Sequence, residues 1–266
     1  MAVVAGGHVG DVRTEQRGDV AWITLDRPDR MNAYDQAMAE EMIAAVRDAA
    51  DAGVIVITGT GRAFCAGGYL ANLAEADAAE LRGMFYGSLR LLEEIRLSPR
   101  PVIAAVNGAA AGGGNELVVA CDLAVAARSA TFGQTGPKVG SAPVLGGTNL
   151  LAVQIGEKRA KEVSFLCRRY DAERAHELGW VNEVVDDDEL EAAVTRMADE
   201  LLAMSPRYLE IAKISSNLWW NSARDGYVSG LGMLVQAIGS DDMLEGARAF
   251  MEKRRPRWPG RSGAEG

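Results

Sequence analysis

Histidine is nearly missing from this chain: His8 and His176 are the two among 266 residues. A catalytic triad built on imidazole, or a zinc site of the usual nitrogen and sulfur ligands, has almost no material. The three cysteines, Cys65, Cys121 and Cys167, are odd in number and lack metal-ligand spacing, so no metal site is expected. Positive charge is also short, with 28 Lys and Arg against 37 Asp and Glu and a net charge of −9. That balance excludes nucleic acid and anionic membrane surfaces as main partners. No apolar run approaches the roughly 20 residues needed to span a bilayer. The opening residues hold no basic segment followed by an apolar one. A soluble cytoplasmic protein is the expectation.

What is present is ordinary globular material. Hydrophobic residues make up 48% and charged ones 24%, which argues against wholesale disorder. The first eleven residues are small and Gly-rich and are expected to fray. Val20–Leu25 is a β-rich run closed at Arg27-Pro28. Asp35–Ala50 spaces Ala, Met, Ile and Val as one helix would. Val54–Thr58 and Pro101–Val106 are continuous apolar runs, as in strands buried on both faces. Between them, residues 77–97 place Leu81, Phe85, Leu89, Leu92 and Ile95 on one helical stripe. Gly112–Cys121 reads as a loop feeding a helix and Leu123–Ala126 as a strand. From Glu157 the pattern turns mainly helical, with helices expected near 157–166, 171–178, 188–204, 206–222, 224–236 and 241–253. Strand–helix alternation followed by helices indicates an α/β fold with a parallel-sheet core and a helical C-terminal part.

Two Gly-rich turns follow buried strands: Phe64-Cys-Ala-Gly-Gly-Tyr69 and Ala111-Gly-Gly-Gly-Asn-Glu116. Glycine at a strand-to-helix turn lets backbone N–H groups approach a ligand closely. Two such groups converging on one carbonyl oxygen form an oxyanion hole for an enolate or tetrahedral intermediate. Tight helix–sheet packing would also account for the glycines. A dinucleotide-binding reading fails on spacing, because Leu117 occupies the last glycine position of G-x-G-x-x-G. Glu116 lies in the first turn of an otherwise apolar helix, where a carboxylate is costly without a partner or a task. A favourable position on the helix dipole is the structural alternative. Asp122, Glu157 and the Asp186–Asp188 run read as turn, cap and solvated acids.

Taken in order, the segments resemble the enoyl-CoA hydratase/isomerase (crotonase) superfamily from about Val20 to Trp258. They are Leu25–Ala33, Gly61–Gly68, Pro101–Gly108, Gly112–Leu117, Cys121–Leu123, Phe132–Gln134 and Ala175–Glu183. The resemblance implies a crotonase-like spiral of ββα repeats over 12–200 and a C-terminal helical segment for trimerisation over 201–266. It implies homotrimers or homohexamers, an acyl-CoA substrate, and no cofactor beyond the coenzyme A carried by that substrate. It assigns the oxyanion N–H groups to Gly68 and Gly113 and acid–base work to Glu116. Substrate and coenzyme contacts fall on Arg30, Ala66, Tyr69, Leu70 and Ser141, with Lys253 of a neighbouring subunit attracting phosphates.

Hydratases of this family use a second glutamate four residues after the Phe of Phe-Gly-Gln; here that position is Gly136. Phe132–Ser141 and Leu166–Asp171 are instead similar to naphthoate synthases and to ring-opening hydrolases of alicyclic CoA thioesters. The Asp some of these carry two residues after Ser141 is Pro143, and their nearby Tyr is missing from Val144–Thr148. Gly140–Gly147 looks closest to hydrolases acting on oxocyclohexene-carbonyl-CoA. Three functions follow as expectations. The first is an acyl-CoA hydratase or related lyase, acting on a linear or cyclic acyl group. The second is a C–C hydrolase that opens a cyclic oxoacyl-CoA, with Glu116 or Ser141 placing the water. The third is a non-catalytic CoA-binding subunit, disfavoured by the retention of Glu116 with both glycine turns.

Overall fold

A computed structural model describes residues 7–69 and 77–258. It begins with three strands, β1 (Gly7–Val9), β2 (Val12–Arg17) and β3 (Val20–Leu25), which pair antiparallel in that order. The expectation of a frayed start through residue 11 is corrected here: Gly7, His8 and Val9 pair with Thr14, Arg13 and Val12. Helix α1 (Gln36–Asp48) follows, capped by the Asp35 carboxylate, which accepts from Met38 N–H at 3.0 Å.

The next three segments repeat one plan. Each supplies a long strand, then a short one. β4 (Val54–Gly59) and β5 (Ala63–Cys65) lead to α2 (Ala78–Leu97). β6 (Val102–Val106) and β7 (Ala109–Ala111) lead to α3 (Gly113–Ala120). β8 (Leu123–Ala127) and β9 (Thr131–Gly133) follow. The long strands extend β3 as parallel neighbours in the order β3-β4-β6-β8, and the short ones align parallel in a second sheet, β5-β7-β9. This is a spiral of ββα turns, in which each turn adds one strand to each sheet.

The remaining elements close the two sheets and add a helical part. They are α4 (Leu150–Ile155), α5 (Glu157–Leu166), β10 (Arg169–Asp171), α6 (Ala172–Glu177), β11 (Glu183–Val185), α7 (Leu190–Leu202), α8 (Pro206–Ser216), α9 (Leu218–Gln236) and α10 (Asp241–Met251). β11 joins β8 in parallel and β10 joins β9 antiparallel. The helix expected over 206–222 stops at Ser216, and the next begins at Leu218. Asn217 marks the break: its amide donates to the Arg96 carbonyl at 2.9 Å, which fixes the chain to the end of α2.

Alternation along the buried strands serves two cores. Ile55 and Ile57 face the helices α1 and α2, whereas Val54 and Val56 face α7 through Ala193, Val194 and Ala198. Both faces of the long parallel sheet are covered, which explains the unbroken apolar runs. A single buried cation ties α8 to this core. Lys213 Nζ lies 2.7 Å from Asp122 Oδ2 and donates to the Arg100 and Ile95 carbonyls at 2.8 and 3.1 Å. Asp122 also accepts from Val102 N–H at 2.8 Å, at the head of β6. Removing one partner of such a pair leaves a charge and two carbonyls poorly matched. Lys213→Met is therefore expected to lower unfolding free energy by about 3 kcal/mol, measured by urea titration. Unchanged stability would show that α8 is held by packing alone.

Candidate functional site

The short sheet determines where the two glycine turns meet. β5 runs parallel to β7, so the turn after Cys65 and the turn after Ala111 leave the sheet side by side. Gly67 adopts φ +95°, and a Cβ there would lie 2.8 Å from both the Ala111 carbonyl oxygen and the Gly113 nitrogen. At Gly114 a Cβ would lie 1.9 Å from the Cys65 carbonyl oxygen, so α3 approaches β5 backbone to backbone. The 66–69 turn is fastened to residues 31–34. Ala66 N–H donates to the Met31 carbonyl at 3.0 Å, Tyr34 N–H to the Gly67 carbonyl at 2.9 Å, and Tyr69 N–H to the Tyr34 carbonyl at 2.8 Å. The N–H groups of Gly68 and Gly113 have no backbone acceptor among the described residues. The latter opens α3, where the first turn of a helix leaves donors free.

Asn32, fully buried, holds this region together. Its Oδ1 accepts from Arg27 N–H at 3.0 Å, and its amide nitrogen donates to the Ala63, Thr60 and Phe64 carbonyls at 2.7, 2.9 and 3.2 Å. Within the Leu25–Ala33 segment noted in the sequence, Asn32 is thus a structural clamp under the turn.

Gly68, Gly113 and Glu116 line one cavity, together with Ala66 and Ser141. Glu116 is 6% exposed, and its Oε1 accepts from Leu145 N–H at 2.9 Å and from Gly147 N–H at 3.1 Å. Burial pushes its carboxyl up to about 7, and these two N–H donors oppose the rise. No donor among the described residues reaches Oε2, so that oxygen is available to a ligand or a water.

Other predicted residues fall elsewhere. Arg30 and Tyr69 are outside the cavity wall and stack on each other, the guanidinium 4.5 Å from the ring centre. Lys253 is exposed just beyond α10 in a left-handed conformation, φ +53°. Its neighbour Arg254 is engaged by Glu245 at 2.6 Å. Leu70 lies outside the described residues.

Three cavity residues escaped the sequence reading. Tyr34 is 3% exposed, and a Cβ on Gly113 would lie 2.4 Å from its hydroxyl oxygen. Ser88 lines the same cavity, and its own proton goes to the Met84 carbonyl at 2.8 Å. Burial holds Tyr34 protonated far above the usual tyrosine range. Gln134 is the third, also on the cavity wall. A tyrosine after Asn-Ala and a serine inside an amphipathic helix give no periodic signal of a site, and Gln134 was noticed only as part of a motif. At Gly136 a side chain would press on the next loop: a Cβ there comes within 3.0 Å of Ala142 Cα and the Ser141 carbonyl oxygen. Among the described residues, no group of three or more His, Cys, Asp or Glu is arranged to hold a metal ion.

Comparisons with known proteins agree with this geometry. Residues 15–261 match the family model for enoyl-CoA hydratase/isomerase. A crystal structure of an enoyl-CoA hydratase from Mycobacterium avium subsp. paratuberculosis K-10 superposes with TM-score 0.85 at 28% identity, covering 94% of this chain and 99% of that one. An enoyl-CoA hydratase from Bacillus anthracis gives TM-score 0.77 at 32% identity, over 95% of this chain and 100% of that one. A carnitinyl-CoA hydratase from Mycobacterium avium gives TM-score 0.81 at 31% identity, over 94% and 99%. With a model match spanning nearly the whole chain and its ββα spiral, the chain belongs to the enoyl-CoA hydratase/isomerase family.

Proposed function

We propose that this chain is an acyl-CoA hydratase or related lyase in which Gly68 and Gly113 N–H bind the thioester oxygen and Glu116 moves the proton. The observation that carries the reading is the Glu116 carboxylate, buried beside both glycines with Oε1 tethered and its pKa near neutrality. In the hydratase direction, Glu116 takes a proton from water as the oxygen bonds to C3. The π electrons move to C2 and the thioester oxygen, where two N–H donors meet the developing charge. The same carboxyl then returns the proton to C2, so water adds across the double bond and Glu116 is regenerated. We assign the coenzyme to the side of Ala66, where the Arg30–Tyr69 stack offers cationic and aromatic surface, with Lys253 supplied by a neighbouring chain.

A second reading, ring opening of a cyclic oxoacyl-CoA, is favoured by one observation. The Ser141–Ala142 backbone packs against Gly136, where hydratases carry their other glutamate. One carboxylate suits water activation beside an already polarised ring carbonyl. Attack on that carbonyl and cleavage of the adjacent C–C bond leave the electron pair as the same thioester enolate.

Glu116→Gln keeps shape but removes basicity, so turnover should fall by roughly 10² to 10⁴ with little change in CoA-ester affinity. In the parent, kcat/KM should decline about tenfold per pH unit below about 7, as Glu116 protonates. Stability carries the opposite trend. The folded-state carboxyl titrates above its ordinary 4.5, so its favourable contribution is complete below that value and lost as pH rises to about 7. Glu116→Gln should therefore gain stability relative to the parent across that window, read by denaturant titration at several pH values. Parent-like turnover in the variant would reduce Glu116 to a structural acid.

Gly113→Val drives a side chain into the space held by the Tyr34 hydroxyl and should cut turnover by about 10²-fold or more, with circular dichroism checking the fold. A folded variant with parent turnover would remove Gly113 from the oxyanion role.

Homotrimers or homohexamers are proposed from the exposed apolar side chains of the C-terminal part: Tyr208 on α8 at 71%, Ile214 at 58% and Phe250 on α10 at 55%. Light scattering should return a mass that is a multiple of three chains. A fully active monomer independent of concentration would refute it.

A further inference from the structure

Gln134 follows β9 and is 1% exposed, yet neither its amide oxygen nor its amide nitrogen has a hydrogen-bond partner among the described residues. Buried amides normally find partners, and leaving one unpaired is destabilising. The same fold satisfies Asn32, of similar burial, with a donor and three carbonyls. Asn115 and Trp180 also hold unpaired buried atoms, but they are not on the cavity wall; Gln134 is.

Its position gives that deficit a meaning. A Cβ built on Gly147 would lie 2.5 Å from Gln134 Nε2, so the amide rests against the residue whose own N–H holds Glu116 Oε1 at 3.1 Å. The cavity lining combines carbon surface from Val139, Ala142, Pro143, Leu145 and Leu234 with the hydroxyl-bearing residues Tyr34, Ser88, Thr135 and Ser141. Such a lining fits a hydrocarbon skeleton that meets a few polar groups. Glu116 is the only charged side chain among the described lining residues, so there is no cation to match a second carboxylate on the ligand. An amide, which both donates and accepts, suits a neutral oxygen.

We propose that Gln134 forms a subsite for a carbonyl or hydroxyl oxygen on the acyl group, so that the enzyme selects oxygen-bearing acyl-CoA thioesters over hydrocarbon ones. This rests on the acyl-CoA reading above and adds the substrate class. A hydrogen-bonding subsite rejects the analogue that lacks the oxygen strongly, because its own polar atoms are then left unpaired.

The experiment compares cyclohexene-carbonyl-CoA with its ring-oxo and ring-hydroxy derivatives on the intact protein. Turnover is read as kcat/KM, and affinity is read by calorimetry with the corresponding unreactive thioethers. The oxygenated members should be preferred by about 10²-fold or more, and Gln134→Leu should bring the ratio to within about threefold of one. Gln134→Met serves if the leucine variant does not fold, and the parent's ratio stands without either. A parent ratio near one overturns the proposal and leaves the amide to a trapped water. A high ratio that survives both variants also overturns it, by moving the oxygen to another residue. If neither class of thioether binds, nor coenzyme A itself, the acyl-CoA reading falls and takes this subsite with it.

Discussion

Everything at the cavity depends on two chain segments that touch through backbone alone. The gap between α3 and β5 is too small for a single methyl group, since a Cβ on Gly114 would sit 1.9 Å from the Cys65 carbonyl oxygen. That approach sets Gly113 beside Gly67 and brings two free N–H groups to the same cavity. It also carries Glu116, one helical turn further on, to the same wall. The parallel pairing of β5 with β7 holds the register, and the Asn32 clamp anchors the carbonyls of residues 60–64 from below. Site geometry here is a property of the sheet, transmitted by glycine.

Glu116 shows how the fold supports a buried carboxyl without neutralising it with a cation. Desolvation disfavours the charged form, while two N–H groups from the Leu145–Gly147 strap favour it. The balance leaves the group near neutrality rather than locked in either state. Both donors bind Oε1, which fixes the carboxylate plane and leaves Oε2 without a protein donor among the described residues. Lys213 is the contrasting case. It is buried against Asp122 and two carbonyls, outside the cavity lining, and fastens α8 to the sheet.

The sequence was legible where a physical period or a strong local rule was at work. Val54–Thr58 and Pro101–Val106 stood out because a strand covered on both faces must be apolar throughout. Glycine at 67, 68 and 112–114 stood out because few other reasons place so many after a strand. The second sheet was invisible: β5, β7 and β9 are three residues each, too short for alternation to register. The ordered start was missed because Gly7–Val9 has little apolar character of its own and is strand through pairing with β2. Tyr34 and Ser88 join the cavity through tertiary approach, one from the residues before α1 and the other from the middle of α2. Neither carries a local mark.

The change at position 136 is a replacement of one wall by another. With glycine there, the Ser141–Ala142 backbone closes to about the distance of direct contact, and the loop it begins runs on through Leu145 to Gly147. That loop supplies both N–H groups to Glu116 and carries Gly147 against Gln134. Any side chain at 136 would need the Ser141–Ala142 backbone to give by a few tenths of an ångström. A side chain at 136 and the present position of this loop therefore compete for the same space. In the chemistry proposed for this chain, the loop has taken the place of the acid, and a single carboxyl poised near neutral pH serves as base in one half of the reaction and acid in the other.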